Sequence, residues 1–128
     1  MLLNRRIVVG ICGGIASYKA VDLVSKLQQA GALVDVILTE HAEDFVRPLT
    51  FATVSHRPAY TDLWEASGQA ERHIVLAEEA EVLAIVPATA NTIAKLAQGI
   101  ADNMLTAVAL ATKAPLVLAP AMYSAMYT

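Results

Sequence analysis

Four clusters in this chain carry residue types that bind or transform small molecules. The first is a glycine-rich turn, Gly10-Ile11-Cys12-Gly13-Gly14-Ile15-Ala16-Ser17. It matches neither the G-x-x-x-x-G-K-[ST] loop nor G-x-G-x-x-G. A glycine turn entering a helix still offers free amides and the positive end of the helix dipole to a phosphate, and Ser17 adds a hydroxyl. The competing reading is a tight turn in which Ser17 caps the helix. The second feature is Thr39, whose hydroxyl can reach a ligand or cap the next helix. The third cluster is Pro87-Ala88-Thr89-Ala90-Asn91-Thr92. Its small residues admit a flat ring to the backbone, and Thr89, Asn91 and Thr92 can hydrogen-bond a heterocycle edge. The plainer alternative is a helix start capped by Thr89 or Asn91. The fourth, residues 120–127 (PAMYSAMY), is rich in Met and Tyr and reads first as packing.

The three histidines differ in setting. His56 beside Arg57 and Pro58 reads as surface, and His41 sits among Glu40, Glu43 and Asp44. His73 opens a predicted helix, where the dipole disfavours its cation and leaves a neutral imidazole able to act as a base near pH 7. An exposed helix-start histidine is the bland alternative. No histidine pair has metal-ligand spacing and Cys12 is the single cysteine, so neither a metal site nor an intrachain disulfide is expected.

Regular elements must hold these clusters in place. Residues 7–12 (IVVGIC), 33–38 (LVDVIL), 82–86 (VLAIV) and 116–119 (LVLA) are short apolar runs that predict buried strands, the third stopped by Pro87 and the fourth by Pro120. Between the first two, Ala16, Ala20, Leu23, Val24 and Leu27 mark one face of a helix that ends near Gly31. Residues 41–45 and 48–54 predict short helices, with Pro48 suited to a first turn. Residues 55–72 show no period and read as a surface excursion. Helices are expected over 73–80, 90–98 and 102–112, the last two separated at Gly99. The order β-α-β-α-β-α-β with continuous apolar strands predicts an α/β, doubly wound, flavodoxin/Rossmann-like three-layer parallel sheet. In that fold, ligands bind beyond the carboxyl ends of the strands, where all four clusters fall.

The chain has 128 residues, 56% hydrophobic and 16% charged, with mean hydropathy +0.51. It reads as one domain, residues 1–128, and the composition excludes disorder. A formal charge of −3 argues against general nucleic-acid binding. The longest uncharged stretch, 114–128, is broken by Pro115 and Pro120, so no membrane span is expected and the chain reads as cytoplasmic. The apolar excess predicts contact with another subunit.

Taken together, residues 10–20 (GICGGIASYKA), 36–46 (VILTEHAEDFV), 48–52 (PLTFA), 73–77 (HIVLA), 87–103 (PATANTIAKLAQGIADN) and 119–126 (APAMYSAM) resemble the flavin-containing cysteine decarboxylases, most closely the branch acting on phosphopantothenoylcysteine. The resemblance implies an FMN cofactor, with Gly14, Ser17 and Thr39 near its phosphate and ribityl chain. It implies that Phe51 flanks the ring from a neighbouring subunit, that Ala88, Thr89, Ala90 and Asn91 meet the ring edge, and that residues 95–103 support it. His73 matches the family's catalytic histidine; Asn103, Met122 and Tyr123 fall at substrate-contacting positions. The substrate would be a small cysteine-containing molecule, and the assembly a trimer or a dodecamer built of trimers with sites between subunits.

The implied reaction is FMN-dependent decarboxylation of 4'-phosphopantothenoylcysteine to 4'-phosphopantetheine. Oxidation at the cysteine Cβ makes a thioaldehyde, whose sulfur accepts the electrons as carbon dioxide leaves; return of the hydride from the reduced cofactor to the resulting enethiol gives the saturated thiol product. The cofactor supplies the redox step, and the protein supplies orientation and a base. Three departures qualify the resemblance. Tyr123 stands where the family has Asn, Tyr127 replaces a usual Trp, and the family continues past position 128 into a substrate flap whose cysteine Cys12 cannot replace, because Cys12 belongs to the first strand. A peptidyl-cysteine decarboxylase of lantibiotic type and a non-catalytic FMN-binding or regulatory homologue are the alternatives; a flavin prenyltransferase fits less well.

Overall fold

The computed structural model describes residues 1–61 and 71–120. Its centre is β1 (Arg6–Ile11), which pairs in parallel with β2 (Leu33–Leu38) on one side and β4 (Val82–Ala88) on the other. β3 (Ala59–Tyr60) extends the sheet beyond β2, and β5 (Leu116–Pro120) extends it beyond β4. The order is therefore β3-β2-β1-β4-β5, all parallel. The helices are α1 (Ser17–Gln29), α2 (Pro48–Ser55), α3 (Arg72–Glu79), α4 (Ala90–Gln98) and α5 (Met104–Ala111), with a 3₁₀ turn at Glu40–Asp44.

The strands are apolar without alternation because both sheet faces are covered. Val9, Ile11, Val34, Val36 and Leu38 face one layer, where Ala20 and Val24 of α1 and Phe51 of α2 pack on them. Val8, Ile37, Leu83 and Ile85 face the other, against Leu76 and Ala77 of α3 and Met104, Leu105 and Val108 of α5. Two glycines end helices in the left-handed region, Gly31 (φ +99°) after α1 and Gly99 (φ +73°) after α4. The first also allows a close approach: a Cβ on Gly31 would lie 3.0 Å from the Leu3 Cα.

Asp35 is the exception in the apolar β2 run. Its carboxylate is buried in the sheet and accepts from Arg57 Nε (2.8 Å) and Nη2 (3.4 Å). The carboxylate holds the Arg57 guanidinium above its ordinary pKa, chiefly through this hydrogen bond. The pair fixes the chain just ahead of β3.

The structure corrects the sequence expectation at three places. The stretch 55–72 contains a strand, β3, in register with Val36 and Ile37 of β2. Pro87 does not stop β4: the strand runs to Ala88, and the pairing with β5 shifts register between Ile85 and Ala88. There the missing proline N–H is not needed, while the Pro87 carbonyl accepts from the Cys12 N–H at 3.1 Å. Residues 41–45 fall in a 3₁₀ turn over Glu40–Asp44 rather than an α-helix.

Candidate functional site

Strand order reverses between β1 and β4, and at such a switch point the connections diverge to leave a crevice at the carboxyl ends. A cavity of about 560 Å³ opens there. The tips of β1, β2, β3 and β4 contribute Gly13, Thr39, Thr61 and Thr89; the 3₁₀ turn contributes Glu40, His41 and Glu43; α4 and the start of α5 contribute Asn91, Thr92, Lys95, Asp102 and Asn103. The volume lies within the range of small-molecule and cofactor sites. Threonine hydroxyls and asparagine amides share its walls with three carboxylates, those of Glu40, Glu43 and Asp102.

The glycine turn is built for close approach. A Cβ on Gly13 would lie 2.7 Å from His41 Cβ and 2.8 Å from its carbonyl carbon, so only glycine lets the 3₁₀ turn sit against it. Gly14 has open space around the same position. The N-cap of α1 is Ala16, which has no side chain to cap with. Among the described residues, the N–H groups of Gly13, Gly14, Ile15 and Ala16 find no acceptor, and the next amide, that of Ser17, donates to the Gly14 carbonyl at 2.9 Å. A row of free amides at a helix start is an anion-binding arrangement. Ser17 itself is fully buried and its hydroxyl donates to the Cys12 carbonyl at 2.8 Å, so it neither caps α1 nor lines the cavity.

Thr39 precedes the 3₁₀ turn without a side-chain cap bond, which leaves its hydroxyl at the cavity wall. Thr89 does cap: its hydroxyl accepts from the Thr92 N–H at 3.3 Å. Thr92 in turn bonds the buried Cys12 thiol at 3.3 Å. Ala88 is the buried last residue of β4, and Ala90 and Asn91 are exposed at the start of α4. Asn103 caps α5 through a capping box with Thr106. Lys95 pairs with Asp102 at 3.0 Å, tying α4 to the turn before α5.

Of the predicted site residues that are described, Gly14, Ser17, Phe51, His73, Ala88 and Ala90 are not among those lining the cavity. Phe51 is 0% exposed and packed in the α1/α2 layer, where its ring fills the space between α2 and the sheet. His73 is the second residue of α3, half-buried and outside the residues lining the cavity. Met122 and Tyr123 lie outside the described residues. Thr61 was not anticipated, because its position depends on β3. Among the described residues, no group of three or more His, Cys, Asp or Glu is placed to hold a metal, and no helix is long and apolar enough to cross a membrane.

Comparison with known proteins gives a consistent picture. The family model described as Flavoprotein matches residues 1–128. The coenzyme A biosynthesis bifunctional protein CoaBC of Bacillus subtilis is 52% identical over 128 residues, covering 99% of this chain and 32% of that protein. The chain thus spans about a third of the length of such bifunctional relatives. A probable phosphopantothenoylcysteine decarboxylase of Streptococcus mutans is 41% identical, covering 98% of this chain and 72% of that protein. Among solved structures, the FMN-dependent cysteine decarboxylase SpaF superposes with a TM-score of 0.90 at 34% identity, covering 100% of this chain and 74% of that one. A PPC decarboxylase mutant complexed with pantothenoylaminoethenethiol superposes with a TM-score of 0.78 at 28% identity, covering 97% and 70%.

Proposed function

This chain belongs to the Flavoprotein family, and on that premise we propose that it binds FMN at the strand tips and decarboxylates phosphopantothenoylcysteine. The observation that carries the cofactor is the run of unpaired amides at Gly13–Ala16 opening on a cavity of about 560 Å³. One phosphate monoester matches that turn. Lys95, the one Lys or Arg lining the cavity among the described residues, is already ion-paired, so the phosphate charge falls to backbone amides and the α1 dipole. The residues therefore fit the group. The glycine turn would hold the phosphate, Thr39 the ribityl chain, and Ala88–Asn91 the ring edge.

Bound FMN would supply a two-electron oxidation of the substrate cysteine, which gives the departing carboxylate an electron sink at sulfur. The chain's own residues orient the substrate and manage its proton. His73 is the proposed general base, taking the thiol proton on a ring nitrogen. Because His73 lies outside the cavity of its own chain, the complete site is proposed to form between subunits of a trimer or a dodecamer of trimers. The apolar surface supports that assembly: Ile15, Tyr18, Leu49 and Val117 are 77%, 55%, 74% and 52% exposed. Decarboxylation of another cysteine-ended molecule, such as a peptide, is the second reading; the superposition on the FMN-dependent cysteine decarboxylase SpaF favours a cysteine substrate without fixing what carries it. The 52% identity to CoaBC favours the phosphopantothenoylcysteine substrate.

The test is anaerobic mixing of FMN-loaded protein with phosphopantothenoylcysteine and, separately, with a cysteine-ended peptide. Carbon dioxide release from the first, slowed at least ~100-fold by His73→Asn with flavin retained, is the expected result. Flavin binding without carbon dioxide from either substrate would assign a non-catalytic role.

A further inference from the structure

The peptide unit between Cys12 and Gly13 carries the Cys12 carbonyl on one edge and the Gly13 N–H on the other. A trans peptide is planar, so the two groups point in opposite directions and turn together. Glycine on one side of the unit makes that turn sterically cheap. A side chain fixes it: the hydroxyl of the fully buried Ser17 donates to the Cys12 carbonyl at 2.8 Å. The other bonded carbonyls of the turn are held by main-chain amides, Gly14 by the Ser17 N–H at 2.9 Å, Ile15 by the Tyr18 N–H at 3.3 Å and Ala16 by the Lys19 N–H at 3.0 Å. The Gly13 carbonyl has no bond among the described residues. Among those residues, Cys12–Gly13 is thus the one peptide of the turn held by a side chain, and its N–H begins the run of unpaired amides.

Resting on the reading above that these amides hold the FMN phosphate, we propose that Ser17 is a positioning residue: by holding the Cys12 carbonyl inward, it keeps the Gly13 N–H turned outward to the phosphate. Ser17 itself touches no ligand in this role. It does not line the cavity, and its hydroxyl proton is committed to the carbonyl. Its effect is preorganisation. Without the bond, the Cys12 carbonyl is buried and unpaired, which is costly. Turning the peptide over relieves that cost and puts an acceptor oxygen where the phosphate needs a donor, so the phosphate must then spend binding energy to turn it back. Ser17→Ala removes only the hydroxyl, at the first position of α1, where alanine suits a helix better than serine. The ribityl chain and the ring rest on other residues, so the loss falls on the phosphate.

The experiment measures the Kd of the apoprotein for FMN and for riboflavin by flavin fluorescence quenching, in the wild type, Ser17→Ala and Ser17→Cys. Melting curves without ligand set a temperature at which each variant is folded. Riboflavin has no phosphate, so it reports the rest of the cavity. Ser17→Ala is expected to raise the FMN constant about tenfold or more, the worth of one hydrogen bond to a charged group, and to leave the riboflavin constant within about twofold. Ser17→Cys keeps the shape of the side chain with a weaker donor, so its FMN constant should fall between the other two. That variant carries the test if Ser17→Ala does not fold. Parallel weakening of both ligands, which a merely structural role predicts, would overturn the proposal, as would an unchanged FMN constant in the variants. Wild-type protein that binds no FMN, or binds it no better than riboflavin, would instead overturn the functional reading beneath it.

Discussion

The Cys12 thiol donates to the Thr92 hydroxyl at 3.3 Å, with both residues buried and eighty positions apart in the chain. This contact joins the tip of β1 to the first turn of α4. The Cys12 carbonyl accepts from Ser17, and its N–H donates to the Pro87 carbonyl. One residue thus ties together the glycine turn, the end of β4 and the α4 start, the three pieces that frame the cavity.

Replacing that thiol tests the tie. Cys12→Ala removes the donor and a small volume and is expected to cost about 1 kcal/mol, while Cys12→Ser keeps a hydrogen bond and costs less. Urea denaturation of the two variants measures the difference. In the wild type, the buried thiol should react with a thiol reagent only as the protein unfolds.

The ion pair between Arg57 and Asp35 makes a sharper prediction. Arg57→Met leaves the Asp35 carboxylate buried in β2 without its cation, at a cost of about 3 kcal/mol, the low end because the arginine is partly exposed. Adding Asp35→Val removes the stranded charge and should recover most of that loss. Chemical denaturation of the single and double variants decides it; a double variant no better than the single would mean the carboxylate is satisfied some other way.

The two glycines of the first turn should respond in opposite ways. Gly13→Ala forces its Cβ onto the His41 backbone and is expected to destabilise by about 1–3 kcal/mol, whereas Gly14→Ala enters open space and folds like the wild type. Thermal melts without ligand read this directly. Any loss of FMN affinity in Gly14→Ala then reports the ligand rather than the fold.

Glu81 sets a pH dependence. Its carboxyl is held below the ordinary carboxylate range by the Arg6 backbone N–H first and by the Arg5 guanidinium second. A lowered folded-state pKa adds stability that is present above the unfolded value and is lost as pH falls through the folded one. Glu81→Gln should therefore flatten the acid limb of stability between roughly pH 5 and pH 3, with little change at pH 7 in the pH slope itself. Salt should weaken the Arg5 share, because that pair is exposed.

Much of the fold was legible from residue pattern. Residues 33–38 and 90–98 matched their elements because a continuous apolar run and a Thr89-to-Gly99 capped period are local signals. β3 was not legible: two residues hold no period, and its place depends on the long-range pairing with Val36 and Ile37. A signal for it existed in Asp35, since a carboxylate inside a buried strand demands a cation, and Arg57 lies just before β3. Pro87 misled because proline ends strands by losing a donor, yet the register shift there leaves no acceptor waiting. In the cavity, the glycine turn, Thr39, Thr89 and Asn91 were readable from strand ends, while Asn103, at the start of α5, entered only through the family resemblance. The burial of Phe51 and Ser17 was not, because both depend on packing between layers.

The central claim is that the strand tips hold one FMN per chain through the amides of the glycine turn. The most direct measurement is titration of the apoprotein with FMN, riboflavin and FAD, followed by chromatography of the cofactor retained after gel filtration. The account predicts a yellow protein that retains FMN at one per chain, with riboflavin bound more weakly because it lacks the phosphate. Equal affinity for riboflavin, preferential retention of FAD, or no flavin retained at all would contradict it.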